Sequence, residues 1–342
     1  RLRGWNGSVA LPSSLLHFTA NNVRLSTSSF VSTLPPSLES FVAFHELRGV
    51  DLLVPLLPPS IRKLKFGMSP NISYPGSSKN LLEQLPKSLT WLKVPRSDGS
   101  NLETNPELTS HFPSTLQELE ILPDFPCSAW PLLPSNLTTL NCRGPGHCGV
   151  VSTMIDDQVQ HEDSSVPFDS LPRSITRLQL RFYNVYFCGP PPTTSSHQSY
   201  FPPHLTFLSI SNVQLSPETA KLLPSSLTYL RTGNVCEHVC ARLPTGLKTL
   251  ISWGTLMSPN LIKFLPKSLT SLIMFSISPY SWFDCSTGKR LDSVSTHPEY
   301  STHENCVSHR FDWKDSSCLP PTLTYLYLYG FGDLGDSFLM YQ

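Results

Sequence analysis

LPKSLTWLKV, residues 85–94, is one copy of a unit that returns through the chain. Near-identical copies are LPPSIRKLKF (57–66), LPRSITRLQL (171–180), LPSSLTYLRT (223–232), LPKSLTSLIM (265–274) and LPPTLTYLYL (319–328). Working outward from these, twelve copies begin at Leu11, Leu34, Leu57, Leu85, Phe112, Leu133, Leu171, Phe201, Leu223, Leu243, Leu265 and Leu319. The underlying period is 20 to 23 residues, lengthened in some copies by insertions. A period of that length signals a stacked-repeat architecture, and it overrides the two or three globular domains that 342 residues would otherwise suggest.

Each position of the unit has a physical reading. The second is proline in every copy; it fixes φ and lacks a donor, so it belongs in the turn that feeds a strand. The fourth is Ser14, Ser37, Ser60, Ser88, Ser174, Ser226 or Ser268, with Thr115, Asn136, His204, Gly246 and Thr322 in the other copies. Ser, Thr and Asn at a turn are expected to bond their own backbone. The tail L-T-x-L-x-L alternates as a strand does, with apolar residues at positions five, eight and ten. Leu89, Leu92 and Val94 illustrate this, as do Leu205, Leu208 and Ile210. Thr at position six adds β-propensity.

A strand this short cannot bury its apolar side alone, whereas a stack of twelve forms a parallel sheet with a continuous core behind it. The return path is rich in Pro and Ser, so extended or 3₁₀ segments are expected there, with few α-helices. The expected fold is therefore a repeat solenoid over 1–342, with a parallel β-sheet and a mostly irregular or 3₁₀ convex side. Insertions without periodicity occupy about 143–168 and 278–317.

The strand core L-x-x-L-x-L resembles the leucine-rich-repeat superfamily. With its leading L-P-x-S-[LI]-T it most resembles the FNIP repeats of social amoebae, from Leu11 to about Tyr329. The Phe-Asn-x-Pro tetrapeptide of those repeats does not occur here, and the asparagine expected after the strand comes one residue early, at Asn22, Asn212 and Asn234. The Leu-Pro before the strand is also similar to bacterial ubiquitin-ligase effectors, whose ligase domain would follow the repeats. These resemblances imply a binding scaffold and leave its ligand open.

Composition narrows the function classes. Lys plus Arg and Asp plus Glu are balanced at 25 each, so no global field draws in nucleic acid or acidic lipid. No apolar run reaches the ~18 residues of a membrane span. There is no secretory signal pattern, and the chain starts at Arg1, which suggests a piece of a longer protein. A cytoplasmic location is expected, with secretion as the alternative. The odd count of nine cysteines argues against a disulfide framework. Cys142 falls on the inward ladder, where a buried thiol is ordinary.

Two clusters have the residue types of a metal site but no standard spacing: Cys236-x-His238-x-Cys240, and Cys285, His297, His303, Cys306, His309 and Cys318 in the second insertion. The first insertion carries an acidic patch at Asp156, Asp157, Glu162 and Asp163. Sequons at Asn6, Asn71 and Asn136 are read as incidental in so Ser/Thr-rich a chain. Ser286-Thr287-Gly288-Lys289 lacks the first glycine and the closing hydroxyl of a phosphate loop. No nucleophile–base constellation is found, so neither an enzyme nor a cofactor is expected.

The expectation that remains is a protein or peptide partner, bound on the exposed face of the sheet. The alternatives are a structural spacer or assembly subunit, or a metal-dependent enzyme using the 278–317 insertion. Outward positions are seven, nine and often eleven. In the earlier copies they hold Lys63, Lys65, Trp91, Lys93, Glu118, Glu120, Arg143, Arg177 and Arg181. In the later copies they hold Phe207, Tyr229, Arg231, Trp253, Phe275, Tyr325, Tyr327 and Tyr329. Tyr, Trp and Arg dominate interface hot spots, which makes Tyr229, Arg231 and Trp253 the expected centre. Ser209 is expected to face outward, opposite Leu208.

Overall fold

In a computed structural model each copy of the unit makes the same tight turn. The described residues are 11–20, 34–46, 54–67, 82–94, 106–143, 167–188, 200–253, 259–275, 282–283, 290–291, 319–329 and 338–341. Position five donates its amide to the carbonyl of the proline at position two, as from Leu15 to Pro12 at 3.0 Å and from Leu227 to Pro224 at 3.0 Å. The proline thus supplies the acceptor of a β-turn and is never asked for the donor it lacks. Position three is the first inner residue of that turn, where a fixed φ suits Pro36, Pro59, Pro203 and Pro321.

The turns deliver strands β1 (His17–Ala20), β2 (Ser40–Glu46), β3 (Lys63–Gly67), β4 (Trp91–Val94), β5 (Glu118–Asp124), β6 (Thr139–Arg143), β7 (Arg177–Cys188), β8 (Phe207–Leu215), β9 (Tyr229–Thr232), β10 (Thr249–Trp253) and β11 (Ser271–Phe275). After β12 (Trp282–Phe283) and β13 (Arg290–Leu291), which pair antiparallel as a separate ribbon, come β14 (Tyr325–Tyr329) and β15 (Phe338–Tyr341). The hydrogen-bonded order of the main sheet is β1 through β11 in sequence, then β14 and β15. Each of the twelve copies contributes one parallel strand, and β15 adds an antiparallel thirteenth beside β14. The fold is a leucine-rich-repeat-like solenoid sheet, as the repeat register implies.

By internal contacts the chain divides into unit 1, Arg1–Pro145 with Ser170–Leu178, and unit 2, Gly146–Asp169 with Gln179–Gln342. In unit 1, Lys63, Trp91, Glu118 and Thr139 align across β3 to β6, all at position seven. In unit 2, Phe207, Tyr229, Thr249, Ser271 and Tyr325 align in the same way across β8 to β11 and β14. The second insertion separates β11 from β14 in sequence, yet Ser271 pairs directly with Tyr325 and Leu272 with Leu326. The insertion leaves the ladder register untouched.

Positions five, eight and ten form the core. Leu38, Phe41, Leu64, Leu116 and Leu119 in unit 1 are almost completely buried, as are Leu205, Leu208, Leu230, Leu250 and Leu272 in unit 2. Leu15 and Leu323, in the first and last copies, are only half-buried. Two core positions in unit 2 are polar. Thr232 donates to the Val213 carbonyl at 2.8 Å and Ser252 to the Gly233 carbonyl at 2.7 Å, so neither hydroxyl is left unsatisfied.

The return paths are short, as expected. Unit 1 uses 3₁₀ turns at Val54–Leu56, Pro106–His111 and Cys127–Leu132. Unit 2 uses single-turn helices α1 (Pro217–Lys221), α2 (Glu237–Cys240) and α3 (Pro259–Lys263). Helix α1 shows why: Ser216 caps it by accepting from the Thr219 amide at 3.0 Å, and Pro217 occupies the first helical position.

The fourth position differs from expectation. Its hydroxyl does not bond its own turn; it donates to carbonyls of the preceding copy. Ser60 donates to Pro36 and Leu38 at 2.7 Å each, Thr115 to Lys87 and Leu89 at 2.7 and 2.8 Å, and Thr322 to Lys267 and Leu269 at 2.7 and 2.8 Å. Ser226 does the same to Pro203 and Leu205, and Asn136 directs its amide nitrogen to Ser114. A second line of donors runs along position six, where Thr90 bonds Arg62, Thr228 bonds Thr206 and Thr270 bonds Lys248. These hydroxyl spines stitch copy to copy.

Candidate functional site

Side chains at positions seven, nine and eleven leave the sheet opposite the core, and the two units fill them differently. In unit 1 the row at position nine runs Val42, Lys65, Lys93, Glu120 and Asn141. Lys93 donates to Glu120 on the next strand in a charge-assisted bond. Lys65 is held below its ordinary ammonium pKa, first by partial desolvation and then by the charge of Lys93, while Glu120 opposes the shift. Lys63, Glu118 and Arg177 are exposed, and Trp91 is half-buried. The row that reads as basic in sequence is thus compensated by Glu120 in space. Arg143 lies on β6, but its side chain is outside the described set.

In unit 2 the outward face is aromatic. Phe207 and Tyr229, neighbours at position seven, stack with centroids 4.2 Å apart and planes 10° apart. Trp253 and Phe275, neighbours at position eleven, stack at 3.9 Å and 9°. Phe275 then meets Tyr327 edge-on at 5.8 Å. Between the two stacks Arg231 places its guanidinium carbon 5.3 Å from the Trp253 ring centroid, a cation–π distance. The expected trio of Tyr229, Arg231 and Trp253 therefore lies on adjacent strands, with Phe275 and Tyr327 continuing the line. Tyr325 is half-buried and Arg181 exposed. Tyr329 lies on β14, with its side chain outside the described set.

Two donors on this face have no acceptor. Arg231 Nε and Trp253 Nε1 are buried and make no hydrogen bond among the described residues. A buried donor left in that state costs about 1–3 kcal/mol, so both are out of balance in the isolated chain.

Ser209 corrects the sequence reading. It occupies outward position nine, opposite Arg231 in register, but is only 2% exposed. A side chain of two heavy atoms in a row flanked by Phe207 and Arg231 lies below the level that solvent reaches. Alternation gave its direction and could not give the height of its neighbours. Sequence reasoning also missed the short residues beside the aromatics. Thr249 and Ser271 continue the row of Tyr229, and Ile251 and Ile273 continue the row of Arg231, all half-buried. Aligning the twelve copies by position would have shown them.

Metal candidates do not assemble among the described residues, where no group of three or more His, Cys, Asp or Glu converges. On α2 and its N-cap, Cys240 is buried, Cys236 half-buried and His238 exposed. Burial pushes the Cys240 thiol up to about 12, aided by Cys236 and Glu237, and burial raises Cys142 as well. Both are inert core thiols. Cys127 is disulfide-bonded, which departs from the expectation that the odd cysteine count argues against disulfides. Cys285, His297, His303, Cys306, His309 and Cys318, the acidic patch from Asp156 to Asp163, the 286–289 turn, and Asn6 and Asn71 lie outside the described residues. No described helix is long and apolar enough to cross a membrane.

Comparison with known proteins adds likeness to solved structures. No protein-family model matches the chain. No curated protein shows significant similarity to it. Among solved structures, the circular leucine-rich-repeat protein CroV588 is similar over 78% of this chain and 35% of its own, at 22% identity and a TM-score of 0.45. The chain thus spans about a third of that protein's length.

Proposed function

We propose that this chain is a protein-binding repeat scaffold, and that the outward face of unit 2 receives a protein or peptide partner. The observation that carries the reading is the line of rings Phe207–Tyr229, Trp253–Phe275 and Tyr327 on the side of the sheet away from the core. Rings suit strands for propensity alone. Propensity, however, does not ask for a guanidinium laid over an indole with both donors unsatisfied. Rigid aromatics and a pre-oriented Arg are what a hot spot is made of. FNIP-like character, a non-catalytic role and the lack of a nucleic-acid partner belong to the same proposal. In unit 1, Lys63, Lys65, Trp91 and Lys93 would at most contribute a polar rim, since Glu120 already engages Lys93.

The test is a peptide-display selection against the intact chain, followed by affinity measurement on Tyr229→Ala/Arg231→Ala/Trp253→Ala. The triple variant should keep its circular dichroism spectrum and lose at least ~2 kcal/mol of binding, the scale of a hot spot. Unchanged affinity in a folded triple variant would move the site off this face.

A further inference from the structure

Building on the docking face just proposed, we infer that its occupant is an extended peptide segment carrying one carboxylate, which Arg231 receives between flanking apolar side chains. Charge complementarity is the first argument. At positions seven, nine and eleven of the copies from Phe201 to Leu319, the described residues include one cation, Arg231, and no carboxylate. In unit 1 Glu120 pairs with Lys93 and also acts on Lys65; Arg231 has no acidic residue beside it in register, where its neighbours are Ser209 and Ile251.

Geometry is the second argument. The Arg231 guanidinium carbon lies over the Trp253 ring, and a guanidinium held there by a cation–π contact has a planar N–H fork that matches a carboxylate. The Arg231 Nε and Trp253 Nε1 donors lack acceptors, and a partner's carboxylate oxygens are acceptors only. A small shift of the side chain on docking brings those donors to the ligand.

Room for a chain is the third. Between Tyr229 and Tyr325 the position-seven row drops to Thr249 and Ser271, and the row beside it carries Ile251 and Ile273. Three strand spacings make that gap roughly 14 Å wide. In an extended segment, side chains on one face repeat about every 7 Å, so the gap takes two of them in succession. A nucleic acid fits less well, because a phosphate backbone asks for a series of cations and this face offers one.

Ten-residue peptides selected on the intact chain supply the probe. Each enriched peptide, and a version with its acid replaced by the matching amide, is titrated against the unaltered chain, Arg231→Gln, Arg231→Lys and Trp253→Ala, with folding checked by circular dichroism. The proposal expects peptides that converge on one acidic residue. Replacing that acid should weaken binding about tenfold on the unaltered chain and less than about twofold on Arg231→Gln. Arg231→Lys should recover only part of the loss, because a point charge does not replace the fork. Peptides without an acid, or equal losses on both proteins, would overturn the carboxylate and leave the docking face standing. Peptides indifferent to both Arg231→Gln and Trp253→Ala, or no enrichment at all on the folded chain, would overturn the docking face and this inference with it. A single-stranded oligonucleotide that displaces the peptides at lower concentration than they bind would replace the peptide with nucleic acid.

Discussion

Unit 1 and unit 2 share one backbone solution and differ in what they place on its outer face. The turn bond from position five to the proline, the spine hydroxyls and the in-phase pairing are the same in both. On the outer face unit 1 sets Lys93 against Glu120, so its charges answer each other. Unit 2 sets ring on ring and leaves Arg231 Nε and Trp253 Nε1 without acceptors. The lesson is that the ladder constrains positions two, four, five, eight and ten and leaves seven, nine and eleven open. What a repeat scaffold recognises is therefore written at the open positions, and the unit whose open positions are not self-satisfied is the one to examine.

The sharpest break in the comparison would be one inside the shared core. Leu208→Asp or Leu230→Asp puts an unpaired charge where exposure is 0%. Either should cost several kcal/mol and abolish cooperative melting of unit 2. Ser209→Asp, on the outward side but 2% exposed, should fall between these and a true surface change, because the carboxylate gains Arg231 as a register neighbour while being drawn out of water. Equal thermal shifts for Leu208→Asp and Ser209→Asp would mean that the inward and outward rows are misassigned.

Buried thiols give the next largest effect, and they should behave alike in both units. Cys240 ionises in the unfolded chain near its ordinary value of 9.0 and in the folded chain only near about 12. The folded state then holds the extra proton between those values, so stability is intact below pH 9 and falls as pH rises through that window. At pH 10 the loss is on the order of 1 kcal/mol, since each unit is worth ~1.4. Cys142 in unit 1 is shifted in the same direction for the same reason. Denaturant titrations at pH 8 and pH 10 should show a fall that shrinks in Cys240→Ala and in Cys142→Ala; a fall unchanged in either variant would remove that thiol from the account.

Much of this was legible in the sequence. The fixed proline, the three apolar positions and the period gave the strands, their register and the inward row, because each rests on local sterics and on burial. Tyr229, Arg231 and Trp253 were legible as neighbours once the copies were aligned. Three things were not. Ser60 and Ser226 bond the copy before them, a partner 22 and 21 residues away that only stacking brings within reach. Ser209 is covered by its neighbours' height, which alternation does not encode. The cancellation of Lys93 by Glu120 depends on which copies adjoin, and a list of outward residues loses it.

The spines offer a measurement that can gain as well as lose. Ser60→Ala in unit 1 and Ser226→Ala in unit 2 each remove two cross-copy bonds at position four, and each should cost about 0.5–1.5 kcal/mol. Gly246 is the copy with no side chain there, and a Cβ built on it would sit 3.4 Å from the Ser225 carbonyl oxygen, an acceptable contact. Gly246→Ser should therefore extend the spine and raise the melting temperature by a few degrees, through both the new hydroxyl and a less flexible unfolded chain. A melting temperature that drops in Gly246→Ser would show that the spine is a consequence of stacking and not a contributor to it.

The smallest effect bears most directly on the difference between the faces. Lys93 and Glu120 are partly exposed, at 20% and 24% of their side-chain surface, so their pair is screened and contributes about 0–1 kcal/mol. Lys93→Met should leave stability within that range, keeping the aliphatic stem that packs along the sheet while deleting the charge. Desolvation of Lys65 stays, but removing Lys93 deletes the second cause that lowers its pKa and releases Glu120 to it, so the Lys65 ammonium should titrate higher than in the unaltered chain. Lysine side-chain NMR titration reads that shift directly. If it is absent, the two lysines and the glutamate are not one compensated row. The unit 1 face would then present uncompensated cations, and the contrast with unit 2 would rest on the aromatic stacks alone.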